Sequence, residues 1–310
     1  HLDYERALAE AGAALRLRPE DPEAIALQAF IHRRAGRIEE SAREIEHVVT
    51  VDSGSAYMWH NLAESYWLLR RYPEADRAFE RALALNPRWG LAYSYQAAVR
   101  LCQRGDVGEA RALLGRAPAA PDLLEADAVV ERLVQLDFLE RRYDQAISRV
   151  RRLDIEAFSS QWAYVPLSCV VGDAQRLMGN RVEARLSYEV ARGQIERQVK
   201  ERPDDPRLFS ALGRAQAGLG QGEEALRAAR TAVDLMPISR EAYRGAFRAE
   251  DLARVHALVG DPDAAIAILE DLLERPTRLC APVVRLDPAW DRLRSHPRFQ
   301  ALLRKHGARP

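Results

Sequence analysis

Trp59-His-Asn-Leu-Ala-Glu-Ser-Tyr-Trp-Leu-Leu-Arg-Arg-Tyr-Pro-Glu-Ala-Asp-Arg-Ala-Phe-Glu-Arg-Ala-Leu-Ala-Leu-Asn-Pro87 is the stretch that decides the fold. Trp59, Leu62, Ala63 and Tyr66 share one helical face, as do Ala75, Phe79 and Ala82, and Pro87 closes the stretch. Large residues fill the space between two helices while Ala63 and Ala75 let them approach closely. Pro87 cannot donate an NH and restricts the residue before it, so the second helix ends there. The stretch encodes an antiparallel helix pair. The same frame recurs at Phe209, Leu212, Gly213, Gln216, Ala225, Ala229, Ala232 and Pro237, with Gly220 in the turn.

These spacings resemble the tetratricopeptide repeat, whose period is about 34 residues. Looser copies extend the frame in both directions. One holds Ile25, Gln28, Ala29, Gly36, Ser41, Ile45 and Val48; the next holds Tyr93, Ala97 and Ala110 around a turn at Arg104–Gly108. Others hold Val130, Leu133, Val134, Tyr143, Ala146 and Val150; then Gly172, Gly179, Ala184, Tyr188 and Ala191, with a second helix running to about Arg202. The last holds Leu252, Ala253, Gly260, Ala265, Leu269 and Leu272 after a longer first helix. Tyr4, Ala7, Ala11, Ala14 and Pro19 supply only a second helix, and the chain begins with His1, so a longer parent chain is expected.

The expected fold is therefore all-α: a right-handed superhelix of paired helices over residues 1–275, about seven repeats with the first incomplete, then a capping segment over 276–310. Irregular spacers at Gly115–Asp122 and Asp154–Val165 are expected to be loops or short helical turns. In the tail, Asp287-Pro288 and Ser295-His296-Pro297 are helix-start signals, so two short helices should follow and place Trp290, Leu293, Phe299, Leu302 and Leu303 over the end of the last repeat. This tail resembles the closing segment of repeat regions in bacterial signalling proteins: eukaryotic-like serine/threonine kinases, nucleotide cyclases and winged-helix regulators.

The chain has 310 residues, 47% hydrophobic and 30% charged, enough apolar material for a large core. Its 46 basic and 46 acidic residues cancel, and only Lys200 and Lys305 are lysines. No overall field would draw it to nucleic acid or an anionic membrane. Arg141-Arg142 and Arg151-Arg152 have acidic neighbours and are expected on a salt-bridged outer face. Three scattered cysteines, Cys102, Cys169 and Cys280, speak against a disulfide framework and for a reducing, cytoplasmic setting.

Chemistry-bearing motifs are missing from the sequence. The glycines at 105–108 and 218–222 lack the GxxxxGK[ST] of a phosphate loop. The seven histidines form no HExxH, and no serine sits in GxSxG. Asp204-Asp205 and Asp261-Pro262-Asp263 lie where helices begin and are expected to cap them. No enzyme activity, metal or cofactor is expected.

What remains is a surface. The resemblance implies that the first helix of each pair lines a concave groove. The matching residues include Phe30 and Arg33; Tyr57, His60, Asn61, Glu64 and Trp67; Leu91, Ser94 and Leu101; Glu131, Gln135 and Phe138; Asp173 and Arg176. Phe30, Arg33, Tyr57, His60, Asn61, Glu64, Trp67, Leu101, Glu131, Gln135 and Phe138 form the candidate partner-binding groove, with Trp67 and Phe138 equally readable as packing between repeats. Relatives that hold acidic C-termini use groove lysines with an asparagine; Asn61 matches and the lysines are absent, which disfavours that partner. The function implied is a protein–protein interaction scaffold for a peptide or protein. The alternative is a cis-acting regulatory segment of a larger bacterial kinase, cyclase or transcription regulator.

Overall fold

The computed structural model describes residues 3–118 and 126–307, so the Ala119–Asp122 part of the first irregular spacer lies outside the described residues. Among the described residues 18 helices follow in tandem, with almost no sheet, and the structure is 76% helical. Two compact units divide it: residues up to Val129 with the short segments Ser239–Tyr243 and Pro276–Arg278, and a second unit made of Val130–Ile238, Arg244–Arg275 and Leu279 onward.

The first unit contains α1 (Tyr4–Leu17), α2 (Pro22–Arg34), α3 (Ile38–Val51), α4 (Ala56–Leu68), α5 (Tyr72–Leu85), α6 (Gly90–Arg104) and α7 (Val107–Leu114), each packed on the next. Their starts follow from sequence. Asp21 accepts from the amides of Glu23 and Ala24, Ser55 from Met58 and Asp106 from Glu109, satisfying donors with no partner inside the helix. Its core joins Ala29, Ala42, Ile45, Leu62, Ala63, Tyr66, Ala75, Phe79 and Val99. Ala63, Ala75, Phe79 and Ala82 are fully buried, as their spacing requires.

Helix α8 (Ala126–Leu139) leads into the second unit, followed by α9 (Tyr143–Val150), a hairpin of β1 (Ala157–Ser159) and β2 (Tyr164–Pro166), and α10 (Leu167–Leu177). Then come α11 (Arg181–Glu201), α12 (Pro206–Gly218), α13 (Gly222–Leu235), α14 (Ala242–Val259), α15 (Pro262–Glu274), α16 (Ala281–Leu286), a 3-10 turn at Pro288–Leu293 and α17 (Pro297–Gly307). Asp205 and Asp261 cap α12 and α15, so these aspartates are structural as expected. Gly213 permits close contact between α12 and α13: a Cβ there would lie 2.9 Å from the carbonyl oxygen of Ala225. In the tail, Trp290, Leu293, Phe299 and Leu302 pack with Leu269, Leu272 and Leu273 in one core.

A left-handed residue ends the first helix of each pair: Gly36, Arg70, Gly105, Arg141, Gly179, Gly220 and Gly260 all have positive φ. The spacing grows from 34 residues (36 to 70) to 41 (179 to 220), the drift that makes the later copies hard to align.

Two expectations need correction. The 154–165 spacer holds an antiparallel hairpin, Phe158 opposite Val165, instead of loops or helical turns. The start signals at Asp287-Pro288 and Ser295-His296-Pro297 open the 3-10 turn and α17, the two short helices expected, and α16 precedes them. Neither Cys102 nor Cys280 is a free thiol, while Cys169 is free and buried.

Candidate functional site

The first helices α2, α4 and α6 present a continuous aromatic stack in the first unit. Phe30 meets Tyr57 edge-on at 6.0 Å, and Tyr57 stacks on Trp89 at 6.4 Å. His60 lies between Trp89 (4.4 Å) and Tyr95 (5.3 Å), and Tyr95 meets Trp67 at 5.6 Å. One end of this stack is open, since Tyr57 is 52% exposed. The other end is closed, with Trp67 and His60 buried.

At the closed end sits an ionic cluster around Glu64. Arg33 Nη1 lies 3.1 Å from the Glu64 carboxylate and also donates to the Asn61 carbonyl, while Arg33 Nη2 donates to Asn61 Oδ1 at 2.7 Å. Tyr243 Oη donates to Glu64 Oε1 at 2.7 Å, and Arg278 donates to Glu64 and to the Tyr243 hydroxyl oxygen. The Arg278 guanidinium lies 4.4 Å from the Tyr95 ring centre, 4.7 Å from Trp67 and 5.0 Å from Tyr243. Nearby, Glu241 is fully buried, accepts from the Tyr243 amide and pairs with Arg34 at 3.5 Å.

The electrostatics follow from this enclosure. Burial alone would raise the Glu64 pKa, but the guanidinium groups of Arg33 and Arg278, with His60 and the Tyr243 hydroxyl, hold it at about 2. Burial pushes His60 down to about 4, with Arg278 and Arg33 adding to the effect and Glu64 opposing it. His60 is therefore a neutral ring in the stack. Its Nδ1 and the Trp67 Nε1 are buried without a hydrogen-bond partner.

Of the residues chosen from sequence, Phe30, Arg33, Tyr57, His60, Asn61, Glu64 and Trp67 are brought together here. Leu101 is buried on α6 of the same unit. Glu131, Gln135 and Phe138 lie in the second unit. There, Phe138 packs on Tyr143 at 5.6 Å and with the core around Val134 and Val150, so it serves packing; Gln135 accepts from Arg132 and Glu131 is half-buried. Asp173 is also buried and accepts from the Tyr188 hydroxyl at 2.6 Å and from Arg214. Sequence reasoning missed Trp89, Tyr95, Tyr243 and Arg278. Tyr95 follows the chosen Ser94 by one residue and could have been found by widening the helical face. Tyr243 and Arg278 carry no repeat signal at all.

Among the described residues no group of three or more His, Cys, Asp or Glu could hold a metal ion, and no helix is long and apolar enough to cross a membrane.

Residues 56–89, covering α4 and α5, match the tetratricopeptide repeat family. No curated protein sequence matches the chain. Among solved structures, a tetratricopeptide repeat protein from Parabacteroides merdae ATCC 43184 is similar over 81% of this chain and 91% of its own, with 18% identity and a TM-score of 0.53. The APC/C hetero-tetramer Cut9–Hcn1 is similar over 94% of this chain and 46% of the matched chain, with 16% identity and a TM-score of 0.49. YrrB, a TPR protein with an unusual peptide-binding site, is similar over 73% of this chain and 92% of its own, with 17% identity and a TM-score of 0.37. The chain thus has the tetratricopeptide-type helical repeat fold. Such a fold suggests a protein–protein interaction scaffold.

Proposed function

We propose that the chain is a non-enzymatic scaffold that binds a partner peptide or protein along the first-helix face of its first unit. The observation that carries this is the half-open aromatic stack of Phe30, Tyr57 and Trp89, which leads into the buried Glu64 cluster. An exposed aromatic, Tyr57, backed by partly buried rings and a desolvated charge is the composition of an interface anchor. The proposal rests on the first unit; Glu131, Gln135 and Phe138 are left out of it. Nucleic acid and membranes are not proposed as partners, since the balanced charge supplies no attraction to either.

A second reading is favoured by one feature: the inner groove residues are engaged by Ser239–Tyr243 and Pro276–Arg278 of the same chain. That supports a cis-acting regulatory segment of a larger bacterial signalling protein, as the tail resemblance also implies. We further propose that residues 1–275 act as the repeat domain and 276–310 as its cap, supported by the packing of Trp290 and Phe299 on Leu269. The cytoplasmic location read from cysteine usage loses that support, since neither Cys102 nor Cys280 is a free thiol.

The test begins with a photo-crosslinking residue at position 57 to identify the partner, which is then purified and titrated. Tyr57→Ala should weaken binding by about 2 kcal/mol, roughly thirtyfold, with an unchanged melting curve. Arg77→Ala, exposed on α5, should bind like the wild type. The reading fails if Arg77→Ala abolishes binding and Tyr57→Ala leaves it intact.

A further inference from the structure

We infer that the closed end of the first unit's aromatic stack is a recognition pocket for a peptide arginine, and that Arg278 is its resident ligand in cis. The inference deepens the scaffold reading by naming the chemistry of the partner segment.

The pocket has the parts that a guanidinium requires. Three aromatic rings, of Trp67, Tyr95 and Tyr243, lie within 4.4–5.0 Å of the Arg278 guanidinium carbon. A planar, weakly hydrated cation gains from several such faces at once, and an ammonium lacks the flat shape to match them. At the end of the slot the Glu64 carboxylate is already oriented by Arg33 and by the Tyr243 hydroxyl. The acceptor is in place before the ligand arrives, so binding carries little ordering penalty.

The ligand itself is a short peptide, not a helix face. Arg278 comes from a bent, non-helical stretch between α15, which ends at Glu274, and α16, which begins at Ala281. Only Pro276–Arg278 of that stretch belongs to the first unit. Three residues thus deliver one long side chain into a slot built by α4, α6 and Tyr243. A second observation leaves room for a ligand at the slot: Trp67 Nε1 and His60 Nδ1, on α4, are buried without hydrogen-bond partners. Buried polar atoms are nearly always satisfied, and an indole NH beside a peptide slot suits a ligand carbonyl that the cis segment does not supply. A partner segment presenting arginine would compete with Arg278 for the slot and could satisfy that donor as well.

The experiment uses the full chain and the synthetic peptide acetyl-Pro-Thr-Arg-Leu-amide, which copies residues 276–279, with a version carrying lysine in place of arginine. Arg278→Gly should empty the slot. Calorimetric titration should then show the arginine peptide binding Arg278→Gly at least tenfold more tightly than the wild type. The lysine peptide should bind at least tenfold more weakly, and the Glu64→Gln/Arg278→Gly double variant should not bind. Equal affinity for wild type and a folded Arg278→Gly, or equal affinity for the two peptides, overturns the inference. If circular dichroism shows Arg278→Gly to be unfolded, Arg278→Lys decides: the arginine peptide should raise its melting temperature and leave the wild type unmoved, and no shift overturns the inference. No partner protein enters this experiment, so its failure is distinct from failure of the Tyr57 test.

Discussion

Replacing Glu64 with glutamine removes one charge from the centre of the first unit while keeping the side chain's size and an oxygen for the Tyr243 hydroxyl. What is lost is the counter-charge for Arg33 and Arg278, both in contact with the Glu64 carboxylate. The depression of the Glu64 pKa from 4.5 to about 2 corresponds to about 3 kcal/mol of stabilisation of the ionised form, at 1.36 kcal/mol per unit. An independent route gives a similar figure, since removing one member of a buried pair destabilises by about 3–5 kcal/mol. The sign is that of a carboxylate depressed in the folded state. The contribution is fully present above pH 4.5 and is lost as pH falls toward 2. Urea unfolding at pH 7, followed by tryptophan fluorescence and circular dichroism, should therefore place Glu64→Gln about 3 kcal/mol below the wild type. The gap should narrow toward pH 2.5, because below pH 4.5 the carboxyl protonates in the unfolded wild-type chain before it does in the native one. A loss under about 1 kcal/mol at pH 7, or a gap of constant size at both pH values, would refute the reasoning.

His60→Phe keeps a ring in the stack and removes a titrating group. Because burial lowers the His60 pKa from 6.5 to about 4, the unfolded chain takes up a proton that the native chain refuses, and stability falls between those pH values by up to about 3 kcal/mol; melting curves at pH 7, 5.5 and 4.5 should lose that slope in the variant. Gly220→Ala should destabilise by about 1 kcal/mol through its positive φ alone, since nothing lies within 4 Å of the added carbon. Gly218→Ala should do worse, by about 3 kcal/mol, because its Cβ would sit 2.4 Å from the ring of fully buried Tyr188; equal melting temperatures for the two variants would contradict this. Deleting residues 282–310 removes Trp290, Leu293, Phe299 and Leu302 from the core of the last helices. The product should aggregate or melt well below the full chain, and a monomer of unchanged stability by light scattering and calorimetry would sink the cap reading.

The helix pairs were legible because each rests on local physics. Alanine at close approaches, proline beyond the second helix and aspartate at caps act within a few residues, so Trp59–Pro87 could be read without a neighbour. The left-handed turn is a partial signal: five of the seven are glycine, while Arg70 and Arg141 adopt the same conformation and escape a search for glycine. The hairpin at 157–166 was illegible for a different reason. Three-residue strands are too short to show alternation, and Phe158 is buried simply by facing the core around Val170. At the site, the repeat frame grouped Arg33, Asn61 and Glu64, which form one network. It could not say what covers that face. Glu64 lies 179 residues from Tyr243 and 214 from Arg278, and no repeat spacing connects them.

The chemistry of the cover bears on how the face discriminates between partners. With 46 basic and 46 acidic residues the chain exerts no long-range pull on a basic peptide, so selection cannot come from steering. It must come from contact. Glu64 is 5% exposed, which places its interaction with a guanidinium beyond most ionic screening. A lone buried carboxylate would be prohibitive without a cation, and Arg33 supplies one from within the fold. Arg33 thus supplies a counter-charge separate from the incoming arginine, whose guanidinium lies over the rings of Trp67 and Tyr95. A lysine could neutralise Glu64 but not fill the flat space between the rings, and an acidic residue would meet the wrong charge. The arrangement therefore selects for a guanidinium by shape as well as sign, the reverse of the lysine-bearing grooves that hold acidic C-termini.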